Sequence, residues 1–359
     1  METKQKRRKV VVSLLVLVGL VVFSLTAGGG SLEPSAPPGP TMKTLDEVEP
    51  RIPIHASDLP LTITEPNSYY LVEDVYFTDA GNHAITIECN DVTIDLMGYT
   101  LKGPDSGTKS GVYMNGCANV EIRNGTIRDF SWTAIYENGS SGSSHRVINI
   151  RALSNGDGII LSGNGHMVKD CTAAENGNYG INVGSSSTVT GNTCYDNGSI
   201  GIYANSSGCT VTGNTCCDNG TYGIQIISGN TVIGNTVYSN DAGGIYALVS
   251  NTVTSNTVGY NTENGIIVFS NCKVTENNCL YNGNGGDGAG IYVLNYSNRI
   301  ERNHVISNDR GIDVDGNNNI IVKNTASANI IEYDIVGGNK VGTISTDPTT
   351  AGPWDNFDF

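Results

Sequence analysis

Between residues 111 and 336 apolar and polar positions alternate in short runs, as in Gly180-Ile181-Asn182-Val183 and Gly201-Ile202-Tyr203-Ala204. A period of two puts one face of an extended strand in a core and the other in solvent. A Gly-Ile type step recurs at Gly111, Gly158, Gly180, Gly201, Gly223, Gly244, Gly265, Gly290 and Gly311, with Ala134 and Tyr333 filling the same slot. Successive separations are 23, 24, 22, 21, 22, 21, 21, 25, 21 and 22 residues. Two Asn columns keep the same period, one from Asn192 to Asn324 and one from Asn155 to Asn329.

Three registered columns define an internal repeat. The predicted fold is all-β: a single-stranded parallel β-helix of about eleven coils, each using about 22 residues and pairing with the next at roughly 4.8 Å. An Asn at a bend can exchange hydrogen bonds with its counterparts above and below, which explains the columns. Gly before Ile suits either a positive φ or a close backbone approach. The Leu-x-x-Leu-x-Leu pattern of a leucine-rich repeat is absent, and a propeller blade needs about 40 residues.

Open ends of a stack expose strand edges, so each needs a cover. Residues 51 to 110 are expected to form an N-terminal cap and first irregular coils, and residues 337 to 359 a C-terminal cap. Trp354, Phe357 and Phe359 are expected to fold over the last coil, leaving a monomer.

Composition adds the setting. Charged residues are 15% of the chain, against about 25% in an ordinary soluble domain, and 45 glycines fit repeated turns. Lys4, Lys6, Arg7, Arg8 and Lys9 precede an apolar run from Val10 to Ala27. Residues 1 to 27 read as a signal peptide or an uncleaved transmembrane anchor, and 28 to 50 as a Gly/Pro-rich linker. The remainder is expected to be secreted, periplasmic or on the cell surface. Residues 1 to 27 hold five cations and one anion, so their loss takes the net charge from -15 to -19. Such a surface repels nucleic acid and anionic lipid.

The segment N-D-V-T-I-D-L-M-G-Y-T-L-K-G at 90 to 103, followed by coils of the form G-I-x-V…V-T-G-N-T-V…N, resembles the secreted β-helix proteins. These include the NosD-type periplasmic proteins and the carbohydrate-binding and sugar-hydrolysis domains with a pectate-lyase-like fold. The resemblance covers about residues 60 to 336. It implies a right-handed helix and a range of activities: polysaccharide lyases, hydrolases, epimerases, adhesins and a copper-related maturation factor. One fold hosting many functions selects none of them.

Coil alignment yields an outward column Tyr136, Ile160, Asn182, Tyr203, Gln225, Tyr246, Ile267, Tyr292 and Asp313, with Asp157, Tyr179 and Tyr222 beside it. Tyr next to amides and carboxylates stacks on sugar faces and hydrogen-bonds hydroxyls, so Tyr179, Asn182, Tyr203, Tyr222, Gln225, Tyr246 and Tyr292 are candidate ligands of a polysaccharide or surface glycan. Tyr is also simply a good strand residue. Uronate cleavage needs cations, and between Arg151 and Arg299 only Lys169 and Lys273 occur.

The candidate catalytic group is Asp309, Asp313 and Asp315 beside Arg310, suited to a Ca²⁺ site or to an acid/base pair for glycoside cleavage. No cofactor is otherwise required. Acids on an exposed strand more often serve solvation. His145 and His166 share a column on adjacent coils and are expected to stack about 5 Å apart, a candidate metal pair with no third ligand in view. Nine cysteines without a C-x-x-C pair are read as mostly free, buried thiols, with Cys194 and Cys216 placed to form a disulfide. The alternative function is a non-catalytic structural or adhesion module. Function is expected where the repeat breaks: the Tyr column, the long coil at 277 to 303, and Asp309 to Asp315.

Overall fold

In the structure, a computed structural model, residues 51–139, 141–283 and 285–359 are described. The export segment 1–27 and the linker 28–50 lie outside them. A 13-stranded sheet runs parallel from Leu61–Ile63 to Ile331–Ile335, taking one strand from each coil, and a 26-stranded sheet forms the rest of the wall. One coil shows the plan: Ile181–Val183 joins the first sheet, then Thr188–Thr190 and Thr193–Tyr195 join the second. The coil count is thirteen by the first sheet, not eleven, because Leu61–Ile63 and Ile85–Ile87 already pair in register below Val112–Asn115. The first two coils lack the Gly-Ile step that marks the others. The sole helical element among the described residues is a single turn, Ala56–Asp58, and none is long and apolar enough to cross a membrane.

The inward position after each Gly is aliphatic, and Ile181, Ile202, Ile224, Ile245 and Ile266 stack in register and are fully buried. Burying each stabilises the fold by about 1.5–3 kcal/mol. Cys194, Cys216 and Cys279 fill inward slots level with Val237 and Val258, and all nine cysteines are free.

Each coil turns at bends that share one chemistry. A residue in the left-handed region, such as Asp196 (φ 52°), Asp218 (φ 55°) or Ser239 (φ 55°), precedes a buried Asn. The Asn Oδ1 accepts both the backbone N–H and the Nδ2–H of its counterpart one coil earlier, as Asn235 does from Asn214 at 2.9 and 3.0 Å. Gly of the Gly-Ile step is required for close approach, not for positive φ: a Cβ on Gly201 would lie 2.6 Å from the Gly223 carbonyl oxygen. The last coil shifts the sequence alignment by one, for Ile312 pairs with Tyr333 and Glu332 takes the glycine slot.

The tail differs from the expected aromatic lid. Lys340–Val341 and Asn356–Asp358 add strand pairing to the second sheet, and Asn339 and Asn356 extend the ladders from Asn319 and Asn324. Trp354 stays exposed beneath the Lys323 ammonium at 4.1 Å, and Phe357 stacks on an exposed Phe359. Backbone pairing closes this end. The Tyr333 hydroxyl assists by donating to the Phe357 carbonyl at 2.8 Å.

Candidate functional site

The outward column on the 13-stranded sheet has the register read from the sequence: Asn182, Tyr203, Gln225, Tyr246, Ile267, Tyr292 and Asp313 pair successively. Four of its rings pack on a neighbour along the axis. Tyr222 stacks on Tyr246 at 4.7 Å and Tyr179 packs on Tyr203 at 5.8 Å, because the rise per coil is near a ring-stacking distance. Asn182 accepts from Asn205 Nδ2 at 2.7 Å, and Ile267 is buried.

The column ends in a cleft of about 560 Å³, lined by Glu263, Asp287, Tyr292, Arg310, Asp313 and Asp315 among others. Its cause is a break in the repeat. Asn261 to Ile266 spans five residues, whereas Asn282 to the paired Ile291 spans nine, so four extra residues form a glycine-rich loop over the sheet. Asp309 holds that loop: its buried Oδ2 accepts the N–H of Gly286 at 2.9 Å and of Gly288 at 3.4 Å. Gly283 adopts φ 83°, where a Cβ would also strike the Asp309 carboxylate. Asp309 thus supports the cleft without lining it.

Arg310 contacts Asp287 at 2.6 Å, Asp313 at 2.7 Å and Asp334 at 3.6 Å. Glu263 and Asp315 add two further carboxylates to the cleft lining. Burial raises the Asp313 carboxyl above its ordinary range, with Arg310 opposing and Asp315 and Asp334 adding to the rise. Tyr292 donates to Asp315 Oδ2 at 2.7 Å, and that bond, with burial, pushes its hydroxyl up to about 12. Tyr292 and Asp315 thus meet across adjacent coils, where the bond and burial keep the hydroxyl protonated. Glu263, Asp287 and Asp334 were missed in the sequence, although Asp287 lies in the long coil that pointed here.

His145 and His166 stack as expected, with centroids 5.1 Å apart and planes 6° from parallel. A third group joins them: Glu137 Oε2 lies 3.2 Å from His166 Nε2, and Oε1 lies 3.7 Å from His145 Nε2. All three side chains are buried, with ligand atoms within 4.8 Å of one another. Strand alternation carried the missing signal, for Ile135 points inward, Tyr136 outward and Glu137 inward again.

Among solved structures, the A-module of mannuronan C-5 epimerase AlgE4 from Azotobacter vinelandii is similar at 15% identity, over 76% of this chain and 88% of that one, with a TM-score of 0.59. The AlgE6 A-module from the same organism is 14% identical over 86% and 87%, with a TM-score of 0.58. The Dettilon tailspike protein is 17% identical over 86% of this chain but 60% of its own length, with a TM-score of 0.50. At these identities the likeness is one of fold. No curated protein matches the sequence. Residues 62–187, 110–258 and 228–342 match the sequence model of the family described as "Right handed beta helix region". The chain belongs to this family of right-handed parallel β-helix proteins.

Proposed function

We propose that the chain is an exported β-helix protein that binds a polysaccharide along its 13-stranded sheet and cleaves it in the cleft at Tyr292, Arg310, Asp313 and Asp315. The observation that carries this reading is the cleft itself: the break in the repeat, the outward column and the paired acids coincide there. Support of a broader kind comes from the fold's company, since the similar structures include mannuronan C-5 epimerase modules. The hydroxyl of Tyr292 and the amides of Gln225 and Asn182 supply donors and acceptors for sugar hydroxyls.

The charge balance selects among glycans. Arg310 is already shared by three carboxylates, so it has little to offer a uronate, and the remaining acids repel one. A neutral polymer fits best, and an anionic one needs Ca²⁺ held by Asp287 and Asp315. The test is a glycan array joined to a depolymerisation screen, with and without Ca²⁺, on the chain and on Tyr292→Phe and Asp313→Asn. Loss of binding or cleavage in the variants supports the reading. Retention by both variants of every signal the parent shows, or no glycan bound at all, overturns it in favour of a rigid surface or adhesion module.

A further inference from the structure

Trp132 departs from the pattern of its column. On the coils that follow, the position two residues before the Gly-Ile step is held by Gly156, Asn178, Ser199, Thr221 and Ala242, linked in series by backbone hydrogen bonds that reach Glu263 at the cleft. These side chains are small, so the series forms a shallow trough beside the outward Tyr column. Trp132 stands at one end of it and the cleft at the other. The Trp132 carbonyl accepts the Asp157 N–H at 2.6 Å, and a Cβ on Gly156 would collide with the same oxygen. The coil next to the indole therefore carries no side chain at that position.

Packing does not account for this Trp. Its plane meets that of Tyr136 at 74° with centroids 6.5 Å apart, unlike the stacked pair Tyr222 and Tyr246, and the residue is 45% exposed. An indole so placed forgoes much of the stabilisation that burial gives it. Asp157 adds a polar group beside it. This half-buried residue pairs in register with Thr133, its Oδ1 accepts the Tyr179 N–H at 3.1 Å, and the Asn178 side chain donates to the same carboxylate. A carboxylate has about four acceptor positions, which leaves room for ligand hydroxyls. An apolar face flanked by a hydroxyl acceptor matches a pyranose, with its C–H face and hydroxyl rim.

Six strand pairings separate Thr133–Asn138 from Ile266–Ser270, which is about 29 Å at the usual spacing of paired strands. We propose that Trp132 and Asp157 form a distal sugar subsite, so that the protein takes long, linear, neutral polysaccharides lying along the trough from Trp132 to the cleft. The inference rests on the polysaccharide reading above and adds a requirement for chain length. One sugar stacks on the indole and donates hydroxyls to Asp157, and the units that follow cross Asn178, Ser199 and Thr221. A charged uronate chain would meet Asp157 at this end as it meets the cleft carboxylates at the other. A short oligosaccharide in the cleft does not reach Trp132.

Mannan, xylan and linear glucan, each with its trisaccharide, are the probes. Trp132→Ala should lower kcat/KM for the polymer that the parent cleaves by about tenfold, while kcat/KM for the trisaccharide and the melting temperature stay unchanged. Trp132 and Trp354 are the two tryptophans of the chain, so in Trp354→Phe the emission comes from Trp132 alone and should shift when that polymer is added. Equal losses on polymer and trisaccharide, no loss on either, or an unmoved Trp132 emission overturns the distal subsite and leaves the cleft reading standing. A polymer-induced shift without cleavage by the parent supports the subsite and overturns cleavage in the cleft. A parent that neither binds nor cleaves any of the probes overturns both.

Discussion

The hydroxyl of Tyr292 donates to Asp315 at 2.7 Å across one coil, tying the long coil to the acidic strand that follows it. Tyr292→Phe should leave the melting temperature almost unchanged, because the pair is partly exposed and such bonds contribute about 1 kcal/mol. Glycan cleavage should fall by about 10²-fold or more if this hydroxyl donates a proton in the reaction. Comparing kcat/KM with a thermal melt separates the two effects.

Arg310→Gln leaves Asp313 buried without its counter-charge. Burial then acts unopposed and the carboxyl holds its proton to still higher pH. A raised carboxyl value in the folded state means that stability is lost as the pH rises through it. The variant should therefore lose about 2 kcal/mol near neutrality and less at pH 4. Urea unfolding at both pH values measures the difference.

Asn235→Ala removes the acceptor for two Asn214 donors and the donors to Val211, Ile233 and Asn256. Stability should fall by about 3 kcal/mol or more, since the orphaned groups stay buried. An Ala scan of outward Thr residues such as Thr210 should stay within about 0.5 kcal/mol. Denaturant midpoints distinguish the two.

Gly201→Ala should cost about 1–3 kcal/mol by overpacking, because the new methyl meets the Gly223 carbonyl and the Asn219 side chain. Gly213→Ala meets no atom within 4 Å but forces alanine into φ 63°, and should cost about 1 kcal/mol. Melting curves of the pair separate steric from conformational strain.

Much of this architecture could be read from the sequence because the coil is a repeat. Asn214, Asn235 and Asn256 announce a ladder, and strand alternation placed Tyr203 and Gln225 on one face. The coils in residues 51 to 110 were expected only as irregular ones outside the count of eleven, because neither Leu61–Ile63 nor Ile85–Ile87 follows a Gly-Ile step. The cleft was legible as a break in period and an acidic strand, whereas the bonds by which Asp309 holds the loop were not. Nothing local to Asp309 shows that its carboxylate turns back to the loop amides. That Tyr222 lies against Tyr246 was hidden for a related reason: one coil alone does not reveal where the next ring sits.

The side-chain ladders also have a direction. In each, the N–H and Nδ2 groups of one Asn give to the Oδ1 of the next coil toward the C-terminus, and the series end on Asn339, Asn356 and Glu332. Removing residues 352–359 strips Asn356 from below Asn324 and leaves buried donors without a partner. The stack is polar along its axis, and its final turn supplies the acceptors that complete the turn before it.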